Sequence, residues 1–140
     1  MFDGFKVISA ADWAQQQRIA AKKRSKYNAK KTTYDGHTFD SISEYQRYIV
    51  LKARVQRGVI RDLELQPTYL LQEPFRHVKS GKKVKPISYI ADFRYFDAAL
   101  GEQIVEDVKG METPAFKLKL KLFYKQYPNV NFRKIKNVNE

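Results

Sequence analysis

Two short stretches decide the fold of this chain: YIADF at residues 89–93 and VEDVKG at residues 105–110. Each overlaps a longer apolar, β-prone stretch, at about 87–96 and 103–108, and the polar segment 97–102 separates the two motifs as in a β-hairpin. If that hairpin is symmetric about Ala99 and Leu100, Asp92 lies directly opposite Asp107, with both side chains on one face of the sheet. The sequence therefore predicts a pair of facing carboxylates.

Alternation along the second strand places Lys109 on the same face as Asp107, whereas Glu106 points to the other face, opposite Phe93. Two ionised carboxylates about 5 Å apart repel by roughly 3 kcal/mol at an effective dielectric constant near 20, and a divalent cation would reverse that sign. Oxygen ligands of this kind suit Mg²⁺ or Mn²⁺, which could bind a phosphate oxygen and activate a water molecule. We therefore expect chemistry on a phosphodiester, with Lys109 beside the attacking water. The alternative is a salt-bridged hairpin, since short acidic motifs also arise by chance.

Glu44 is a further candidate, because on a helical wheel it falls within the apolar stripe of a helix predicted over residues 41–57. Ser41 stands three positions earlier, so Glu44 could simply complete a capping box at the start of that helix. A role at the metal side of the site and a role in the cap are compatible, since both need the first helical turn.

The remaining elements follow from periodicity and from turn and capping residues. Predicted in chain order are a basic helix over about 9–23, a tight hairpin at Asp35-Gly36, the helix 41–57 closed by Gly58, strands over about 65–75, 87–96 and 103–108, a helix from Thr113-Pro114 to about Gln126, and a last strand over 130–135. This order predicts a mixed α/β fold in which a three-stranded meander carries the motif.

The charge of the chain points to a polyanionic partner. Its 140 residues suit one domain, and 27 Lys and Arg against 15 Asp and Glu give a formal charge of +12. Nucleic acid is the first partner to consider, ahead of an anionic membrane surface or of lysines that serve only solubility.

Several site classes are excluded or weakened by composition. Cysteine is absent, which excludes disulfides, a thiol nucleophile and cysteine-ligated zinc. His37 and His77 are isolated from each other and from any second ligand motif. No apolar run reaches the ~18 residues of a membrane span and the N-terminus lacks a signal-peptide pattern, so we expect a cytoplasmic protein with no membrane partner.

On these motifs the chain resembles the PD-(D/E)XK nuclease superfamily, whose restriction-endonuclease-like αβββαβ core is similar to the predicted elements from about residue 41 to 135. It resembles more closely a group of small phage-encoded members that share the stretches KYNAKK (26–31), LELQP (63–67), ADFRY (91–95) and EDVKG (106–110). Ala91 stands where the superfamily has a proline, a difference that removes no chemical group.

The pattern of the first residues predicts a basic N-terminal helical arm over residues 1–33, and the resemblance implies a nuclease domain over residues 34–140, with a mixed central sheet between helices. It implies Mg²⁺- or Mn²⁺-dependent, structure-specific cleavage of branched DNA such as Holliday junctions, in the host cytoplasm if the chain is phage-encoded. Asp92 and Asp107 would bind the metal, the Val108 carbonyl would add a ligand, Lys109 would act on the nucleophilic water and Glu44 would support the site.

Clusters of cations suggest where DNA would lie. The candidates are Lys22, Lys23, Arg24, Lys26, Lys30 and Lys31 in the arm, Lys82 and Lys83 in a basic loop, and Lys117 and Lys121 on the second helix. The lysines of the helix could equally form a solvated face. Symmetric junction cleavage needs two active sites, which predicts a homodimer.

Two other functions remain open at this point. One is a sequence-selective restriction or repair nuclease that uses the same residues. The other is a non-catalytic, basic DNA-binding accessory protein of replication or recombination, in which the acidic residues are only structural.

Overall fold

The computed structural model describes residues 31–140, and the basic arm predicted over residues 1–33 lies outside this range except for its last three residues. The described chain is a mixed α/β structure. Its strands are β1 (Thr32–Tyr34), β2 (His37–Phe39), β3 (Ile60–Leu65), β4 (Thr68–Gln72), β5 (Phe75–Arg76), β6 (Lys83–Val84), β7 (Ile87–Ile90), β8 (Phe93–Asp97), β9 (Glu102–Val108) and β10 (Asn131–Ile135). The helices are α1 (Ile42–Gln56) and α2 (Pro114–Gln126).

Both helices begin at the residues that the sequence predicted. Ser41 caps α1 by accepting the backbone N–H of Glu44 at 3.1 Å, and Thr113 caps α2 by accepting the N–H of Phe116 at 3.1 Å. After α1, Gly58 adopts φ of +74°, a left-handed conformation in which glycine carries no steric penalty. The helix ends could be predicted because capping depends on residues close in sequence.

The central sheet has four strands in the order β10-β9-β8-β3. Strands β8 and β9 are antiparallel from Phe93 opposite Glu106 to Asp97 opposite Glu102, which confirms the predicted register. β3 is antiparallel to β8, and β10 is parallel to β9 because α2 crosses over between them.

Each face of this sheet is covered by one helix and one apolar cluster. α1 packs Tyr48 and Leu51 against residues of β3, β8 and β9, including Ile104. α2 packs Phe116 and Phe123 on a cluster that includes Val105. Because Ile104 and Val105 are consecutive in β9, the two clusters lie on opposite faces.

The predicted meander is present, but its first two strands are broken and the first begins earlier than predicted. The predicted strand over 65–75 is instead β3, β4 and β5, and the predicted strand over 87–96 is β7 and β8. Gln66 has φ of +52°, and Pro67 has no N–H for a continuous ladder. The start of β3 was missed because its register shifts between Arg61 and Glu64, which hides the apolar alternation.

Beyond the break, β4 and β7 form a separate antiparallel ribbon that packs on α2, and β5 and β6 extend it as a short hairpin.

The break also changes which sheet face the side chains cover. Tyr89 and Ala91 belong to the cluster under α2, whereas Phe93 and Tyr95 belong to the cluster under α1. All four residues have odd numbers, so a straight strand would place them on one face. The chain therefore turns over at Asp92.

Candidate active site

Asp92 is held at the strand break by three hydrogen bonds. Its backbone N–H donates to the Glu106 carbonyl at 3.1 Å, and its own carbonyl accepts the Gln66 N–H at 2.9 Å. Its carboxylate Oδ2 accepts the Val108 N–H at 2.7 Å. The break thus positions an acidic side chain against β9, one residue beyond the regular β8–β9 ladder.

Asp107 and Lys109 lie together, as alternation along β9 predicted. The Lys109 Nζ is 3.2 Å from Asp107 Oδ2, and Asp107 is only 3% exposed. The Lys109 Nζ also lies 4.5 Å from the centroid of the Phe116 ring, where the electron-rich face attracts a cation. The lysine is therefore held by an ion pair on one side and by an aromatic ring of α2 on the other.

The Asp92 and Asp107 carboxyls lie within hydrogen-bonding reach of each other. Partial burial, the contact with Asp107 and the charge of Glu44 hold the pKa of Asp92 well above its usual range, against the lowering effect of the Val108 N–H. The structure has brought two acids together in a place where Asp92 resists ionising. A bound cation would remove that cost.

Glu44 contributes a third carboxyl from the first turn of α1. Its pKa is raised to about 7, first by burial and then by Asp40, with Asp107 adding to the shift and Lys109 opposing it. The side chain also accepts a hydrogen bond from the backbone of Asp40. Glu44 therefore lies at the helix start and within the electrostatic field of the site, a position that is compatible with both predicted roles.

Tyr89 is a residue that the sequence analysis missed. Its hydroxyl donates a hydrogen bond to Asp107 Oδ2, and burial and the neighbouring Asp107 raise the pKa of this phenol. The side chain reaches Asp107 because the chain turns over at Asp92. A tyrosine three residues before a motif acid was the signal in the sequence, but simple alternation would place it on the opposite face.

The oxygen ligands at this site suit a hard divalent cation that takes only some of its ligands from the protein. Within the described residues no group of three or more His, Asp or Glu side chains has the arrangement of a metal site. The Asp92 and Asp107 pair supplies two carboxylates, and Val108, whose carbonyl is the predicted third ligand, is joined to Asp92 through its backbone N–H. Mg²⁺ is commonly held by one or two carboxylates, with water and substrate phosphate completing its shell.

Glu106, the neighbour of Asp107, belongs to a different arrangement on the other face of β9. Its carboxylate accepts two hydrogen bonds from Arg47, at 2.7 and 2.6 Å, and one from the Tyr95 hydroxyl at 2.5 Å. Glu106 and Arg47 are 0% and 1% exposed. The sequence analysis predicted the direction of Glu106 but missed Arg47, which lies one helical turn from Glu44 on the inner face of α1.

The predicted DNA-binding residues are spread over several surfaces. Lys117 and Lys121 are exposed on α2, beside the buried Phe116 and Phe123. Lys82 and Lys83 are exposed in and beside β6, and Lys31 is exposed just before β1. The other arm candidates, Lys22, Lys23, Arg24, Lys26 and Lys30, lie outside the described residues.

Across residues 31–140, the structure contains no helix with the length and apolar character needed to cross a membrane. In comparisons with known proteins, neither a curated protein nor a solved structure matched the chain. The model of one family matched residues 24–139, and it carries the description "Protein of unknown function (DUF1064)".

Proposed function

We propose that this chain, which belongs to the DUF1064 family, is a metal-dependent, structure-specific DNA endonuclease of the PD-(D/E)XK type. The observation that carries the proposal is the meeting of the Asp92 and Asp107 carboxyls at a strand break, with the Lys109 Nζ 3.2 Å from Asp107. Ordinary strand pairs avoid facing carboxylates, so such a pair beside one lysine is typical of a functional site.

The order of elements supports this assignment. In the described chain α1 precedes the antiparallel strands β3, β8 and β9, and α2 then leads to β10, parallel to β9. This order is similar to the αβββαβ order that the resemblance implies, and it supports the proposal. Asp92 directly precedes the second of these antiparallel strands, and Asp107 lies near the end of the third.

In the proposed reaction, Asp92, Asp107 and the Val108 carbonyl would hold a Mg²⁺ or Mn²⁺ ion. Such an ion supplies Lewis acidity toward a phosphate oxygen and lowers the pKa of a water molecule. Lys109 orients the attacking water and offsets negative charge as it develops on the phosphate. Tyr89 holds the Asp107 carboxylate in place, and Glu44 hydrogen-bonds water at the edge of the site.

The substrate class follows from charge and from the resemblance. A formal charge of +12 favours a polyanion, and exposed lysines on α2 lie on the element that also carries Phe116 beneath Lys109. No base-reading motif accompanies them, which favours recognition of DNA shape. We therefore assign branched DNA such as a four-way junction, cut by a homodimer that supplies two active sites.

Cleavage of labelled four-way junction, flap and linear duplex DNA in Mg²⁺, Mn²⁺ or EDTA tests the proposal. Asp107→Asn should lower the cleavage rate by about 10²–10³-fold while junction binding persists, because one metal ligand is weakened with little change of shape. The matched control is Asp62→Asn, since Asp62 is exposed and asparagine tolerates its φ of +56°.

Each other outcome points to a different function. Equal cutting of the linear duplex would favour a general or sequence-selective nuclease. Tight binding with no cleavage in either metal would contradict the enzyme and favour a DNA-binding accessory protein.

A further inference from the structure

The β5–β6 hairpin stands apart from both apolar clusters. We call residues 73–86 the hairpin arm; every residue in it except Val84 is exposed, and its two strands pair only with each other. An element that buries so little apolar surface contributes little to folding. The presence of a long hairpin at this place therefore needs an explanation other than folding stability.

The charge of the hairpin arm is strongly positive. It carries five cations, Arg76, Lys79, Lys82, Lys83 and Lys85, against the single acid Glu73. Arg76 and Lys83 are direct cross-strand partners. Like charges in facing positions destabilise a strand pair, and a polyanion bound along the ribbon would reverse that effect.

The tip of the hairpin arm is held in one conformation by its own hydrogen bonds. The Gly81 N–H donates to the His77 carbonyl at 2.8 Å, and the His77 N–H donates to the Lys82 carbonyl at 2.8 Å. The Ser80 hydroxyl and His77 Nδ1 are 2.8 Å apart, and Arg76 donates to the Gly81 carbonyl at 2.6 Å. A preformed ribbon loses little conformational entropy when it binds a ligand.

Val78 is the apolar residue at this tip, and it is 92% exposed. A two-stranded ribbon fits the major groove of duplex DNA, and proteins that enter the minor groove place apolar side chains against its base steps. Cations along the strands with an apolar tip suit a groove bordered by phosphates.

We infer that the hairpin arm is a groove-binding arm, whose cations contact phosphates and whose Val78 contacts the floor of a duplex groove away from the cut site. This inference rests on the proposed function for its ligand, DNA. Ser80 and Asp92 are twelve positions apart, so the chain between them can span at most about 40 Å. One helical turn of B-DNA is about 34 Å, so the hairpin arm can contact a duplex arm away from the scissile bond.

Binding by cleavage-deficient Asp107→Asn protein, measured by fluorescence anisotropy over a range of salt concentrations, tests the inference without relying on catalysis. In that background, Lys82→Gln with Lys83→Gln should weaken junction binding and lower the slope of log affinity against log salt by about 2, one for each lost phosphate contact. Arg57→Gln with Arg61→Gln is the matched control, because it removes two exposed cations outside the hairpin arm, one just after α1 and one in β3, and should leave the slope nearly unchanged.

Val78→Ser gives an independent readout. It should weaken binding by about fivefold through the loss of apolar contact, with no change in the salt slope. Junctions whose duplex arms are shortened to about 5 base pairs should abolish the difference between Val78→Ser and its parent, because the groove that Val78 would contact is then missing.

The hairpin arm and the proposed function can fail separately. The inference is wrong if the hairpin variants keep the affinity and salt slope of their parent while the protein without any substitution shows normal metal-dependent cleavage. That result would not affect the proposed nuclease function. If the protein cuts no DNA but the hairpin variants lose affinity for it, the result would support the groove-binding role of the hairpin arm and contradict the proposed nuclease activity.

Discussion

The two faces of β9 hold neighbouring buried carboxylates in opposite electrostatic situations. Glu106 accepts two hydrogen bonds from Arg47 and one from Tyr95, so its charge is matched by a guanidinium. Asp107 lies beside the carboxyl of Asp92 and the ammonium of Lys109, and within the electrostatic influence of the Glu44 carboxyl, which α1 contributes. A matched charge holds a fold together, whereas an excess of negative charge leaves a place for a cation.

Removing the charge of Glu106 should have the largest effect on stability. Glu106→Gln leaves Arg47 buried without its counter-ion, and we expect a loss of about 3–5 kcal/mol in the free energy of unfolding. Urea denaturation followed by circular dichroism measures this loss. Asp107→Asn is the matched change on the other face and should not destabilise the protein, because it relieves repulsion from Asp92. Similar losses in the two variants would contradict the comparison.

The excess of carboxyls at the candidate site should make stability depend on pH. Folding raises the pKa of Glu44 from 4.5 to about 7, so the folded state binds this proton more tightly than the unfolded state does. In the metal-free protein, stability should therefore fall by about 1–3 kcal/mol as pH rises from about 4.5 through about 7.

Thermal denaturation in EDTA at several pH values measures this dependence. Glu44→Gln should flatten the profile, whereas Glu73→Gln, which alters an exposed carboxyl, should leave it as in the parent protein. A Glu44→Gln profile as steep as that of the parent would show that Glu44 does not carry the effect.

The smallest expected effects come from the two tyrosines, one on each face. Tyr89→Phe removes the donor to Asp107 but keeps the ring that packs near Phe116, Phe123 and Phe132. We expect about a tenfold loss of cleavage rate, equivalent to one hydrogen bond to a charged group, with little change in melting temperature.

Tyr95→Phe is the reciprocal change, because it removes a donor to Glu106. It should lower stability by about 1 kcal/mol and leave the cleavage rate unchanged. A drop in cleavage rate in Tyr95→Phe as large as in Tyr89→Phe would show that the two faces are not functionally separate.

Short-range features of the fold could be predicted from the sequence. The starts of α1 and α2, the register of β8 against β9 and the common face of Asp107 and Lys109 were all predicted correctly. Each depends on residues within one turn of helix, on alternation along one strand or on one hairpin. Local rules therefore sufficed to predict the pairing of the two motif acids.

Tertiary structure alone decided the other half of the site. The turn of the chain at Asp92 depends on the left-handed Gln66 and on Pro67, which interrupt the neighbouring strand. That turn brings Tyr89 to Asp107, and the packing of α1 on the sheet brings Arg47 to Glu106. These contacts join residues 18 and 59 positions apart, and no local pattern specifies them because they exist only once the sheet has broken and the helices have packed on its two faces.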